Sequence, residues 1–438
     1  MRLIRFTESY FSALFVPLSE FKNSCKFMNI YAIIILATIA IDFILDLVSN
    51  YLNLRSLSKE LPDEFEGVYD EDTYAKSQEY TKVRTRFGFI TGGFDLALVL
   101  GFWFSGGFNW LDQIVRAWGL GELLTGLIYI GILIVAKMII NLPFSIYSTF
   151  VIEEKFGFNK TTPGTFVMDL VKGLGLSLVI GAPLLAGILW FFMYAGELAW
   201  LYAWGAVTAF TLIMQYVAPT WIMPLFNKFT PLEEGELRTA IEDYTEKVDF
   251  PLQGLFVIDG SKRSSKSNAF FTGFGKNKRV ALYDTLIENH TNDELVAVLA
   301  HEIGHYKKKH IIKGMVTSII QTGVMFFLLS IFLNAEGLFD AFYMEEMSVY
   351  AGLIFFGMLY APIDMILSVF MQILSRKHEF EADAFAADTT GRPEDMVSTL
   401  KKLSKDNLSN LTPHWFYVWL NYSHPPVLER IRAIRKDR

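Results

Sequence analysis

The residues best equipped for chemistry lie at His301-Glu302-Ile303-Gly304-His305. On a helix, positions i and i+4 share a face, so both imidazoles reach one metal ion while the intervening glutamate lies beside an open coordination position. The chemistry is hydrolysis by a water that Zn2+ makes acidic and Glu302 deprotonates. Helical context is written in the flanks. Thr291-Asn292-Asp293-Glu294 has the form of a capping box, and Leu295, Val296, Val298 and Leu299 supply an apolar face.

A catalytic zinc takes three protein ligands and leaves the fourth position to water. His310 follows His301 by nine residues and points about 180° away on a continuous helix, so it is not expected to ligate. A metzincin site wants a histidine at position 311, where this chain has Ile311. The remaining candidates fall in His378-Glu379-Phe380-Glu381-Ala382-Asp383. Glu379 and Asp383 are four apart, so one can ligate while the other accepts a hydrogen bond from a ligand histidine. Spacing alone does not choose among His378, Glu379 and Glu381.

These elements are embedded in an apolar chain. Of 438 residues, 52% are hydrophobic and 19% charged, below the roughly 25% charged of an ordinary soluble domain. Seven stretches are long enough to cross a bilayer: 27–48, 87–107, 123–142, 173–194, 198–218, 314–333 and 349–374. The fourth and fifth are separated only by Ala195, Gly196 and Glu197, which suits a tight helical hairpin. The run 11–18 is too short to span and reads as an interfacial lead-in; no cleavable signal peptide is expected. Lys plus Arg is 39 and Asp plus Glu 46, a net charge of −7 without a basic face, which argues against a nucleic-acid partner. Cys25 stands alone, so no internal disulfide and no thiolate metal site is expected.

The expected organisation has four parts: a membrane region 1–219 with five spans and an acidic loop 56–86, a first catalytic segment 220–313, spans six and seven within 314–374, and a second catalytic segment 375–438. Counting spans puts both catalytic segments on one face of the membrane. Short segments on the other face carry Arg2, Arg5, Lys22, Lys26 and Arg116, against eleven basic residues on the catalytic side. The positive-inside rule therefore predicts a cytoplasmic catalytic side. Asp95, Lys137 and Asp364 fall inside spans, where charge is costly and normally faces a bundle interior or water. Residues 278–283 read as a short strand whose edge is expected to pair with an extended substrate.

The chain resembles the integral-membrane type I CAAX prenyl endoproteases. The likeness rests on Leu61-Pro62-Asp63-Glu64-Phe65, Lys155-Phe156-Gly157-Phe158-Asn159-Lys160, the run from Pro224 to Leu232, Asn268-Ala269-Phe270-Phe271-Thr272-Gly273-Phe274, the run from Glu379 to Ala386, and His424-Pro425-Pro426-Val427-Leu428-Glu429-Arg430. The resemblance implies an all-α polytopic membrane protein of about seven transmembrane helices, joined to a mainly α metallopeptidase domain with a small β element. It implies one Zn2+ on His301, His305 and Glu379, with Glu302 as catalytic base and His424 as stabiliser of the tetrahedral intermediate. Asp383, Asn268 and Arg430 are implied near the ligands or substrate, and Asp95, Lys137 and Asp364 along an intramembrane chamber. Partners implied are the lipid bilayer and a peptide or protein ending in a prenylated CaaX sequence. The membrane would be that of the cell in a bacterium or of the endoplasmic reticulum in a eukaryote. Alternatives are a broader quality-control metalloprotease acting on unprenylated substrates and, less well supported by the ligand set, a transporter or channel.

Overall fold

The computed structural model describes residues 28–272 and 278–436; the interfacial lead-in expected at 11–18 lies outside them. Among the described residues, seven helices are long and apolar enough to span a membrane: α1 (Ile30–Arg55), α2 (Glu71–Phe104), α3 (Glu122–Glu153), α4 (Pro163–Tyr194), α5 (Gly196–Phe226), then His310–Phe332 and Val349–Thr390. Each overlaps one expected span. Two extend well beyond it. Asp70 caps α2 by accepting from the Thr73 N–H at 2.7 Å, so half of the presumed acidic loop 56–86 is helix. The last runs about 16 residues past 374 and carries Glu379 and Asp383 on its end. The turn between α4 and α5 is as tight as expected, with Gly196 at φ +64°.

Between α5 and the sixth membrane helix come α6 (Glu236–Lys247), α7 (Asn292–Lys307) and a four-stranded sheet. Its strands are β1 (Phe229–Pro231), β2 (Leu252–Ile258), β3 (Ala269–Thr272) and β4 (Lys278–Tyr283), in the order β1-β2-β4-β3. β4 forms where the sequence predicts it, but it is interior: β2 pairs along one side in parallel and β3 along the other antiparallel. The free edge next to α7 is therefore β3. The two flanking membrane helices are α8 (His310–Phe332) and α9 (Val349–Thr390), followed by α10 (Pro393–Asp406), α11 (Trp415–Asn421) and α12 (Val427–Lys436).

Two large apolar cores and a smaller one around Tyr80, Phe156 and Phe158 organise the described residues. One, around Trp103, Tyr129, Tyr350 and Phe355, ties membrane helices together. The other packs Leu295, Leu299 and Ile303 of α7 against Ala386, Leu400 and Ile431. Gly304 makes the α7–α9 contact possible. A Cβ there would lie 3.1 Å from the Cα and 3.2 Å from the carbonyl oxygen of Ala382. Polar latches fix the loop leading into β3 to the membrane helices: Arg263 grips Asp169 with two 2.8 Å hydrogen bonds, and Lys266 reaches Glu153 at 2.9 Å and the Tyr80 hydroxyl at 2.7 Å. Within the membrane part, Lys137 of α3 pairs with Asp95 of α2. Each charge so answers the other across two helices.

Candidate active site

The capping box forms as the sequence predicts. Thr291 Oγ1 accepts from the Glu294 N–H, and Glu294 returns an oxygen to the Thr291 N–H at 2.8 Å. Glu294 is also buried against Ser398 and Lys402, at 2.6 and 2.7 Å, which ties the start of α7 to α10. Burial pushes its carboxyl up, but hydrogen bonds from Lys402, Ser398 and Thr291 outweigh that and hold it below the usual glutamate range.

Two turns later α7 presents His301 and His305, whose Nε2 atoms are 3.1 Å apart. Across Gly304, α9 presents Glu379: Oε1 lies 3.2 Å from His305 Nε2 and Oε2 3.5 Å from His301 Nε2. All three donor groups fall within 4.8 Å of one another. His301 Nδ1 is 2.8 Å from Asp383 Oδ1, so this nitrogen donates and the lone pair of Nε2 faces inward. Oε2 of Glu379 is buried and accepts no hydrogen bond, although Arg430 Nη1 stands 3.4 Å away. Two imidazoles and a carboxylate converging this closely make a site that can hold a cation. The donor set fits a metal ion.

Arg430 donates to both oxygens of Asp383, at 2.7 and 2.6 Å, and is itself buried. His424 approaches from the turn before α12, its Nε2 3.5 Å from Glu379 Oε1 and its Nδ1 2.9 Å from the Ser423 hydroxyl. His424 is exposed, with 64% of its side chain open to solvent. Glu302 is half-buried beside the histidines; burial raises its carboxyl above the usual range. Asn268 is exposed at the head of β3, where its Oδ1 accepts from the Ala269 N–H at 2.8 Å. None of the hydrogen bonds or ion pairs among the described residues joins it to the cluster.

One part of the arrangement escaped the sequence reading. His310 does not point 180° from His301, because α7 ends at Lys307 and Lys309 adopts φ +59°, starting a new helix at His310. Its Nδ1 lies 3.1 Å from His305 Nδ1, its Nε2 3.0 Å from Glu381 Oε2, and its ring stacks on His378 at 3.9 Å. His378 and Glu381, both weighed as ligands, stand one layer out from the donor set.

Similarity to known proteins extends along nearly the whole chain. Residues 50–228 match the CAAX prenyl protease N-terminal region of five membrane helices, and residues 231–438 match peptidase family M48. The chain belongs to peptidase family M48. This peptidase is 38% identical to the CAAX prenyl protease 1 homolog of Arabidopsis thaliana, covering 88% of this chain and 93% of that one. It is 35% identical to CAAX prenyl protease 1 of Saccharomyces cerevisiae, covering 88% and 91%. The crystal structure of S. mikatae Ste24p superposes with a TM-score of 0.86 at 34% identity, over 93% of this chain and 99% of that one. The M48 peptidase is thus a multi-pass membrane metalloprotease, and its mainly α fold with seven membrane helices and a small sheet is the expected one.

Proposed function

We propose that the protein is a zinc endopeptidase that cleaves near the C-terminus of prenylated CaaX proteins, with His301, His305 and Glu379 holding the metal. The observation that carries it is the convergence of two imidazole Nε2 atoms and one buried carboxylate on a common centre, with Glu302 alongside and, among the described residues, no fourth His, Cys, Asp or Glu in the group. Two histidines and one glutamate are the ligand chemistry of hydrolytic zinc sites that keep a position open. When bound, zinc supplies Lewis acidity, bringing the pKa of a water towards about 7 and polarising the peptide carbonyl.

The chain's own residues do the rest. Glu302 takes the proton of the attacking water and returns it to the leaving amine. With the Ser423 hydroxyl donating to Nδ1, His424 carries its proton on Nε2, on the side of Glu379, and donates it to the oxyanion of the tetrahedral species. Asp383, held by Arg430, fixes His301 in the tautomer that ligates. The substrate backbone adds as a strand to the free edge of β3 rather than to interior β4, which brings it along α7, and Asn268 marks the start of that edge.

The four-part division 1–219, 220–313, 314–374 and 375–438 remains our working organisation. The charge asymmetry of the short loops supports a cytoplasmic catalytic side. The prenylated CaaX substrate comes from the names of the relatives. The test is digestion of a farnesylated CaaX peptide beside its unprenylated twin by detergent-solubilised protein, with a chelator control. We expect chelator-sensitive cleavage of the farnesylated peptide. Equal cleavage of the twin would move the function to a broader membrane endopeptidase, and cleavage untouched by chelation would remove the metal from it.

A further inference from the structure

The two histidines of α7 are supported from behind in different ways. His301 rests on a carboxylate, Asp383, which Arg430 neutralises. Behind His305 stands a second imidazole: His305 Nδ1, His310 Nδ1, His310 Nε2 and Glu381 Oε2 form a chain with links of 3.1 and 3.0 Å.

The protons along this chain can be placed by elimination. A ligating His305 needs its Nε2 lone pair, so its proton sits on Nδ1 and must be donated outward. His310 Nδ1 is then an acceptor, which puts the His310 proton on Nε2, facing Glu381. The opposite placement leaves His305 protonated at Nε2 and unable to bind a cation. The backbone is bent to build this contact. Lys309, not a glycine, takes the left-handed conformation that ends α7 and swings His310 back behind the site, and the stacked ring of His378 pins its plane. His310 is buried while Glu381 is partly open to solvent, so the chain runs from the metal site outwards.

We propose that His310 is a positioning residue that, anchored by Glu381, locks His305 in its metal-binding tautomer and so sets how tightly the site holds zinc. This rests on the metal-site reading above. The test is competition for zinc between a chromophoric chelator and the full-length protein in detergent, with melting of the metal-free protein recorded in parallel. His310→Ala removes the acceptor and is expected to weaken zinc binding by roughly 10–100-fold. His310→Gln offers Oε1 to His305 and an amide N–H to Glu381, so it is expected to restore most of that affinity. Should the alanine variant not fold, Glu381→Leu carries the same test, with an expected loss in the same direction. Alanine at 310 binding zinc like wild type, or glutamine losing as much as alanine, would overturn the relay alone. Wild-type protein that binds no zinc would overturn the metal site and the relay with it.

Discussion

Asp383 and Arg430 meet through two hydrogen bonds of 2.7 and 2.6 Å, with only 2% and 11% of their side chains exposed. The pair lies directly behind His301, so a charge match sealed from solvent sets the orientation of one donor of the metal site. Removing one member leaves the other buried and uncompensated, which costs about 3–5 kcal/mol. Arg430→Met is therefore expected to lower the melting temperature clearly. The double variant Arg430→Met/Asp383→Leu should recover part of that stability yet bind zinc more weakly by roughly tenfold or more, because His301 Nδ1–H has lost its acceptor. Thermal melts with and without zinc check both halves.

Glu302 is the only carboxylate placed beside the histidines without being spent on one of them among the described contacts. Glu302→Gln keeps its shape and removes its basicity. Zinc content should stay at the wild-type level while turnover falls by about 10²–10⁴-fold. Parallel metal analysis and peptide cleavage on one preparation decide the point.

His424 contributes a donor to developing charge rather than a ligand. His424→Ala should lower kcat by about 10²–10³-fold with little change in KM or in zinc content. Steady-state kinetics on a prenylated peptide measure the split.

Glu294 fixes the start of α7 by accepting from Thr291, Ser398 and Lys402. Its carboxyl is held below the ordinary range in the fold, so the stability it contributes is complete above the unfolded value and is lost as pH falls through the folded one. Glu294→Gln should reduce stability at pH 7 by about 1–3 kcal/mol, and the gap to wild type should narrow on acidification below about pH 4.5. Melting temperatures of both proteins across that range show whether the curves converge.

Much of this was legible in the residues, for reasons that differ element by element. The membrane helices are announced by uninterrupted apolar length, and α7 by Thr291, Glu294 and the apolar face behind them. Glu379 and Asp383 were confined to one short helical stretch by the i, i+4 rule. Three features needed the third dimension. Whether β4 is an edge or an interior strand depends on its pairing with β2, some twenty residues earlier in the chain. The Asp70 cap and the helix after it were masked by the strongly acidic loop before them. The break at Lys309 has no sequence marker, since lysine carries no preference for the left-handed region, and so His310 was set aside on the geometry of a helix that does not continue.

The most direct test of the central claim is zinc stoichiometry in purified full-length protein, measured for wild type, Glu379→Ala and Glu381→Ala after brief exposure to a weak chelator. The account predicts about one zinc per chain in wild type, essentially none in Glu379→Ala, and an intermediate, retained fraction in Glu381→Ala. Wild type without zinc, or Glu379→Ala holding it better than Glu381→Ala, would contradict the assignment.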